Sequence, residues 1–305
     1  LVAHKIGPAL ASGNAVILMP HSETPLVAKM LVELFSKTEL PHGVLQLLTG
    51  RGEIIGDALV SDPRINMVSF TGGKSVGNKI LAQTGLKKVA MELGSNCPAI
   101  ILADANIEHA LDSTISGAFC AAGQNCLHVQ RIYIHSDLYV QFSERFINRA
   151  KTIIMGDKLE EDTDMGPMIN EKAAIKVESL VNDALSKGAR LLCGGNRKGT
   201  FYQPTVLADV NDNCLIANEE VFGPVTLLYP FDDLEAGIAM ANDVDYGLQA
   251  GVFTRDLDLA FKVADALECG GVMINESSDY RIDAMPFGGV KGSGIGREGV
   301  RNTIH

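Results

Sequence analysis

Tryptophan is absent from the 305 residues, and that absence excludes nothing about function. Other gaps exclude more. No run of lysine and arginine interrupts a chain of formal net charge -11, so phosphate backbones are repelled and nucleic-acid binding is disfavoured. No apolar stretch reaches the roughly 18 to 20 residues that a membrane-spanning helix requires. No basic segment is followed by a short apolar core, so no signal peptide is expected. The cysteines at 97, 120, 126, 193, 214 and 269 form no Cys-x-x-Cys pair, and His-Glu-x-x-His is missing, so no metal is expected. Thiols in such an acidic chain suit a reducing compartment, and the cytoplasm is the expected location. The sequence opens in mid-pattern at Leu1 without methionine and stops abruptly after Arg301-Asn302-Thr303-Ile304-His305, which reads as a fragment of a longer protein.

What is present reads as a globular α/β chain long enough for two domains. Hydrophobic residues make up 46%, enough for a sizeable core, and the glycines are scattered at turns rather than gathered in a low-complexity tract. The first ninety residues alternate strands (15–19, 44–48, 66–70, 88–92) with helices (25–37, about 53–60, and from 72–77 through 82). Thr24 stands as an N-cap before Pro25 at the first helical position. This order predicts one parallel sheet with right-handed crossovers. A second unit starts near Ser95. It carries strands at 98–102, 131–134 and 271–275 and helices at 107–120, 139–152, 171–187, 234–242 and 257–267.

Cys126 and Glu92 carry the most information. Cys126 follows Gly123-Gln124-Asn125, where a cysteine beside glycine and polar residues can be an exposed thiolate nucleophile. Glu92 lies 34 residues earlier in Val89-Ala90-Met91-Glu92-Leu93-Gly94, and apolar neighbours raise a carboxyl pKa toward that of a general base. Gly50-Arg51-Gly52 with Gly56, and Gly72-Gly73-Lys74-Ser75-Val76-Gly77, both sit on strand-to-helix turns. Such turns suit either close backbone packing or the pyrophosphate of a dinucleotide. Gly292-Ser293-Gly294-Ile295-Gly296 has no strand directly before it and reads as a structural loop. Glu219-Glu220, before Phe222-Gly223-Pro224, is either a solvated acidic pair or a holder of a ligand hydroxyl. His128 is either a base near Cys126 or a partly exposed histidine without a catalytic role.

Taken together, these segments resemble the NAD(P)-dependent aldehyde dehydrogenase superfamily over nearly the whole chain. The pieces are Lys5-Ile6-Gly7-Pro8-Ala9-Leu10-Ala11-Ser12-Gly13-Asn14, Ser69-Phe70-Thr71-Gly72, Glu92-Leu93-Gly94, Gly123-Gln124-Asn125-Cys126, Glu219-Glu220-Val221-Phe222-Gly223-Pro224 and Pro286-Phe287-Gly288-Gly289. The resemblance implies a Rossmann-like parallel-sheet cofactor domain over 1–94, an α/β catalytic domain over 95–292, and a return to the cofactor domain over 293–305. It implies a homodimer or homotetramer. It makes Cys126 the nucleophile that forms a thiohemiacetal and then a thioester, and Glu92 the base that activates water to hydrolyse it. Cofactor contacts with NAD or NADP fall on Met19, Ser22, Gly52, Phe70, Thr71, Gly72, Gly73, Val76, Leu93, Gly94, Glu220 and Phe222. Substrate contacts fall on Asn125, Leu127, Arg281 and Phe287. The backbone N–H of Cys126 supplies one oxyanion donor; the family's second donor, an asparagine, belongs to a segment before Leu1, and a C-terminal oligomerisation strand is also outside this sequence.

The departures from the family pattern bear on the cofactor. Met19 stands where the family usually has lysine, Ser22 where NAD-specific members often have glutamate, and Gly73 replaces a frequent serine. The first change removes a cation and the second permits a 2′-phosphate, so NAD against NADP stays open. Ser277-Ser278-Asp279-Tyr280-Arg281-Ile282-Asp283 falls on the substrate tunnel and is similar to members acting on semialdehydes, lactaldehyde or phosphonoacetaldehyde. Arg281 either clamps an anionic substrate bidentately or forms a salt bridge with Asp279 or Asp283. The rival readings are a CoA-acylating enzyme, which needs no water-activating base, and a non-catalytic relative of the same fold.

Overall fold

The computed structural model describes residues 1–304 and divides into two compact units. The first comprises Leu1–Leu93, Arg281–Gly288 and Gly294–His305; the second comprises Gly94–Tyr280 and Gly289–Ser293. The sequence reading ran the second unit unbroken to 292, whereas 281–288 cluster with the first.

The second unit is built on a seven-stranded sheet. In spatial order its strands are Gly271–Ile274, Gln249–Phe253, Cys97–Ile101, Val129–His135, Val225–Phe231, Thr205–Ala208 and Arg190–Cys193. Every pairing is parallel except the last, where Thr205–Ala208 meets Arg190–Cys193 antiparallel. The central strands are apolar on both faces because both are covered. Ala99 and Ile101 face a core with Leu111, Phe142, Phe146 and Val177, while Ile100 and Leu102 face another with Ile238, Ala250 and Val263. A two-residue period thus feeds two hydrophobic layers, the arrangement expected of a parallel sheet wrapped by helices. The helices Ile107–Phe119, Ser136–Thr152 and Glu171–Ser186 supply one layer, and Leu234–Asn242 and Leu257–Ala266 the other.

Several strands of this sheet were not foreseen. Val225–Phe231 has the β-branched and aromatic residues of a strand. Gln249–Phe253 has Val252 and Phe253 but carries Gly251 at its centre, which weakens the strand pattern. A side chain at Gly251 would meet the Glu276 carbonyl oxygen at 2.5 Å, so the glycine admits a crossing backbone. The sequence reading also left out the helix Val2–Ala11, which carries Pro8 within it.

In the first unit the strands fall where the periodicity puts them, but they do not form one sheet. Val16–Leu18 pairs in parallel with Leu45–Leu47, and Met67–Thr71 pairs in parallel with Lys88–Glu92. Among the described residues no ladder joins the two pairs. Periodicity marks a strand; it does not choose the strand's neighbour. The glycine-rich 292–296 segment is structural. A 3₁₀ turn, Lys291–Ser293, leads into Gly294–Ile295, which pairs antiparallel with Met91 and Glu92. At Gly294 a Cβ would lie 2.0 Å from the Met91 carbonyl oxygen, which requires glycine.

Candidate active site

The cysteine side of the site belongs to the second unit. Ile107–Phe119 ends and the chain makes a tight turn, Cys120–Gly123, before reaching Cys126. Ala121 (φ 51°), Ala122 (φ 54°) and Gly123 (φ 65°) are all left-handed. Two alanines in that region carry backbone strain of order 1–3 kcal/mol each, which surrounding structure must hold in place. Gly123 is fixed by contact, since a Cβ there would lie 2.1 Å from the Gly223 carbonyl oxygen. The half-exposed Cys126 is pinned through its backbone: the Ser95 hydroxyl donates to its carbonyl oxygen, and the Cys97 thiol donates to the same oxygen at 3.6 Å.

Its neighbours are equally constrained. The Asn125 side-chain oxygen accepts from the Leu127 N–H at 2.5 Å, and its amide donates to Asp279 at 3.0 Å. The buried Leu127 has its carbonyl oxygen held by the Ser278 hydroxyl at 2.7 Å. Gln124 accepts from the Ile169 N–H at 2.7 Å. His128 is not partly exposed: it is 3% accessible, and burial lowers its pKa to about 4. A closed-off, neutral imidazole does not exchange protons as a base at neutral pH.

Glu220 joins this unit through Gly94 and Ser95. Its carboxylate accepts from the Ser95 N–H at 2.9 Å, and burial raises its pKa against that bond. A Cβ at Gly94 would stand 2.4 Å from Glu220 Oε2, so glycine is what lets the carboxylate approach. Glu219-Glu220 is therefore no freely solvated pair. Two buried amides missed at the sequence level hold the segment. Gln130 donates to the Ile216 and Glu219 carbonyls at 2.8 Å and accepts from Val221 N–H at 3.0 Å; Asn96 donates to the Ala217 carbonyl at 3.0 Å. Phe222 is exposed and left-handed, at φ 49°.

The carboxylate side belongs to the first unit. Glu92, 5% accessible, ends the strand Lys88–Glu92, and its pKa is pushed up to about 8. Burial is the main cause, and the Glu298 charge adds to it, while Lys5, Arg281 and Arg297 act in the opposite sense. Glu92 Oε2 is buried and finds no hydrogen-bond partner. Glu298, also 5% accessible, pairs with Lys5 at 3.0 Å, Arg281 at 3.6 Å and His4 at 3.8 Å. Neither Lys5 as a charge partner nor Glu298 was singled out from sequence. The Arg281 salt bridge runs to Glu298, not to Asp279 or Asp283, and its guanidinium lies 3.9 Å from the centre of the Phe287 ring. Asp283 instead lies 3.5 Å from His4. Distant in sequence, Glu298 was invisible to spacing arguments.

The remaining positions also lie in the first unit. Met19 follows the strand Val16–Leu18 and is half-buried beside Gly56; Ser22 and Gly52 are exposed. Thr24 makes no side-chain cap bond, though Pro25 does begin the helix. Phe70 folds beneath the turn, where a Cβ at Gly72 would lie 2.5 Å from its ring. The Thr71 hydroxyl is buried without a partner. Gly73 caps the eleven-residue helix Lys74–Thr84 without a side chain, and Val76 on its first turn is 48% exposed. Leu93 packs against Gly77, whose Cβ would approach it to 2.4 Å.

Comparison with known proteins gives this arrangement its relatives. The aldehyde dehydrogenase family model matches residues 1–305. Aspartate-semialdehyde dehydrogenase 1 of Pseudomonas canavaninivorans is 50% identical over 301 residues, covering 99% of the chain and 64% of the relative. Aldehyde dehydrogenase 21 of Physcomitrella patens, solved with its reaction product succinate, superposes with a TM-score of 0.97 at 44% identity, covering 100% of the chain and 63% of that structure. Glyceraldehyde-3-phosphate dehydrogenase GapN of Methanocaldococcus jannaschii, solved with NADP, gives 0.96 at 42% identity, covering 100% and 67%. The chain spans between 59% and 66% of the length of the curated relatives it matches. A glycine-clamped cysteine turn, a buried carboxylate at the end of Lys88–Glu92 and a match along the whole chain agree: the chain belongs to the aldehyde dehydrogenase family.

Proposed function

We propose that the protein oxidises an aldehyde to a carboxylic acid with NAD or NADP. The observation that carries the reading is the Cys126 turn, where three successive left-handed residues and a pinned carbonyl present a half-exposed cysteine. The cysteine sulfur adds to the aldehyde carbon, and the backbone N–H of Cys126 donates to the oxyanion. A bound nicotinamide cofactor supplies the hydride acceptor. Loss of hydride from the adduct leaves a thioester on Cys126. Glu92 then takes a proton from water, and attack on the thioester releases the acid. That base favours hydrolysis over transfer to CoA.

The cofactor residues suit a dinucleotide. The Gly73-capped helix offers its first-turn N–H groups to a pyrophosphate, and the orphaned Thr71 hydroxyl lies two residues before Gly73. Glu220, with Ser95 N–H on one oxygen, would receive a ribose hydroxyl, with Phe222 two residues further along the chain. Relatives named for aspartate semialdehyde and glyceraldehyde 3-phosphate, and one solved with succinate, support a short anionic aldehyde. Arg281 and Phe287 would contact its anionic end. No helix of the described residues is long and apolar enough to cross a membrane. We place the enzyme in the cytoplasm as a homodimer or homotetramer.

The test follows reduced nicotinamide by absorbance in the full-length protein, with each cofactor and a panel of neutral and anionic aldehydes. Turnover that disappears in Cys126→Ala is the expected result. A CoA-dependent product in place of free acid would favour the acylating variant, and no reduction with any pair would favour a non-catalytic relative. Arg281→Ala is expected to raise KM about tenfold for anionic aldehydes alone, as loss of one charge-assisted contact implies. An equal rise for neutral ones would remove Arg281 from the substrate.

A further inference from the structure

The Asn125–Asp279 contact poses a question of charge. Asp279 is half-buried, and among the described residues the one side-chain bond it receives comes from a neutral amide, Asn125 Nδ2 at 3.0 Å. A carboxylate withdrawn from water is costly to satisfy with a single neutral donor. Holding Asn125 does not require that charge. The Asn125 side chain is already oriented by its own turn, accepting from the Leu127 N–H at 2.5 Å, and any neutral acceptor would serve its amide. The charge also works against thiolate chemistry nearby: it raises the Cys120 pKa, adding to burial. Asp279 thus lies beside both flanks of the left-handed turn that leads to Cys126.

Its direction is preset. Ser278, fully buried, donates to the Leu127 carbonyl at 2.7 Å and has its own carbonyl held by Gln249 at 2.8 Å. Side chains fixed in this way can recognise a ligand group at little entropic cost. Oδ1 is engaged by Asn125, which leaves Oδ2 as the acceptor on offer.

We propose that Asp279 is a specificity-determining residue that accepts a hydrogen bond from a hydroxyl or ammonium group on the carbons next to the aldehyde. The inference rests on the aldehyde-oxidising reading and deepens it. It also orients the substrate. A carboxylate bonded to Asn125, the residue before Cys126, disfavours an anionic group at that end, so an anion belongs at the far end of the molecule. The substrate class is then a short aldehyde with a donor near the carbonyl and any negative charge remote from it.

Two aldehydes that differ in one hydroxyl, 2-hydroxypropanal and propanal, test the proposal in the full-length protein. Wild type should favour the hydroxylated member by about tenfold or more in kcat/KM, the worth of one hydrogen bond to a charged group. Asp279→Asn keeps the shape but not the charge, and Asp279→Ala removes both. Each should lower kcat/KM for 2-hydroxypropanal about tenfold while leaving propanal within about threefold. Iodoacetamide labelling of Cys126 should be no slower in either variant. A purely structural Asp279 would instead depress both aldehydes together and slow labelling, and that outcome overturns the proposal. So does a wild type that turns over both aldehydes equally, which leaves the oxidising activity intact. Absence of turnover with either aldehyde, and with every other aldehyde of the panel, removes the activity itself and the subsite with it.

Discussion

The two units hold their candidate residues by opposite means. Around Cys126 most supports are neutral, hydroxyls of Ser95 and Ser278 and amides of Asn96, Gln130 and Gln249 spent on backbone carbonyls, with the carboxylates of Asp279 and Glu220 as the charged exceptions. Around Glu92 they are charged: Lys5, Glu298, Arg281 and His4. Neutral hydrogen bonds fix position and are indifferent to pH. Charges leave position looser and set proton affinity. A nucleophile that must meet a carbonyl at the right angle gains from the first, and a base that must take and return a proton gains from the second.

Removing the proposed base is the largest break in this comparison. Glu92→Gln should slow steady-state turnover about 10²–10⁴-fold, the usual worth of a general base, while a first burst of reduced cofactor survives. A variant with full turnover would end the assignment. In wild type, hydrolysis should rise with pH through about 8, because only the ionised carboxylate accepts a proton. Stability should move the other way. The folded-state pKa of Glu92 is raised above its unfolded value, so its contribution is fully present below the unfolded pKa and is lost as pH climbs through about 8. Glutamine does not titrate. Thermal melts should therefore show Glu92→Gln gaining on wild type between roughly pH 4.5 and 8 and holding level above.

Next comes position. Gly123→Ala puts a methyl group into the Gly223 carbonyl, 2.1 Å away, in a left-handed residue. Relief requires the turn to shift, and a shift of about 1 Å at a reacting atom costs on the order of 10² in rate. Both kcat and the rate of Cys126 alkylation should fall, with the pH midpoint unmoved. A displaced midpoint would mean that the neutral scaffold also tunes charge, and the contrast between the units would fail.

The same contrast explains what could be read in advance. Strands and helices with strong periodicity, such as Lys88–Glu92 and Ile107–Phe119, are local and were legible. Cys126 and Glu92 were also singled out in advance, on the chemistry that their neighbours in sequence suggest. Gln130 was not, because it sits in an ordinary strand and its partners are the carbonyls of residues 216 and 219. Glu298 was not, because 206 positions separate it from Glu92 and only the fold brings its charge to bear. Arg281 shows the intermediate case. Its residue type announced an ion pair, two nearby aspartates looked like the partners, and the fold chose Glu298.

The smallest effect gives the sharpest sign. Glu298 raises the Glu92 pKa, whereas Arg281 lowers it. Glu298→Gln removes a repelling negative charge and leaves Lys5 and Arg281 less neutralised, so both consequences favour ionised Glu92. The pH midpoint of hydrolysis should drop. Arg281→Ala removes an attracting positive charge and leaves Glu298 less compensated, so the midpoint should climb. Salt should shrink both displacements only slightly, because Glu92 and Glu298 are each 5% accessible and buried charges are poorly screened. Steady-state pH profiles limited by hydrolysis would read both shifts. Displacements of the same sign would show that the two substitutions act by loosening the first unit, and the charged cluster would then be scaffolding like the hydrogen bonds around Cys126.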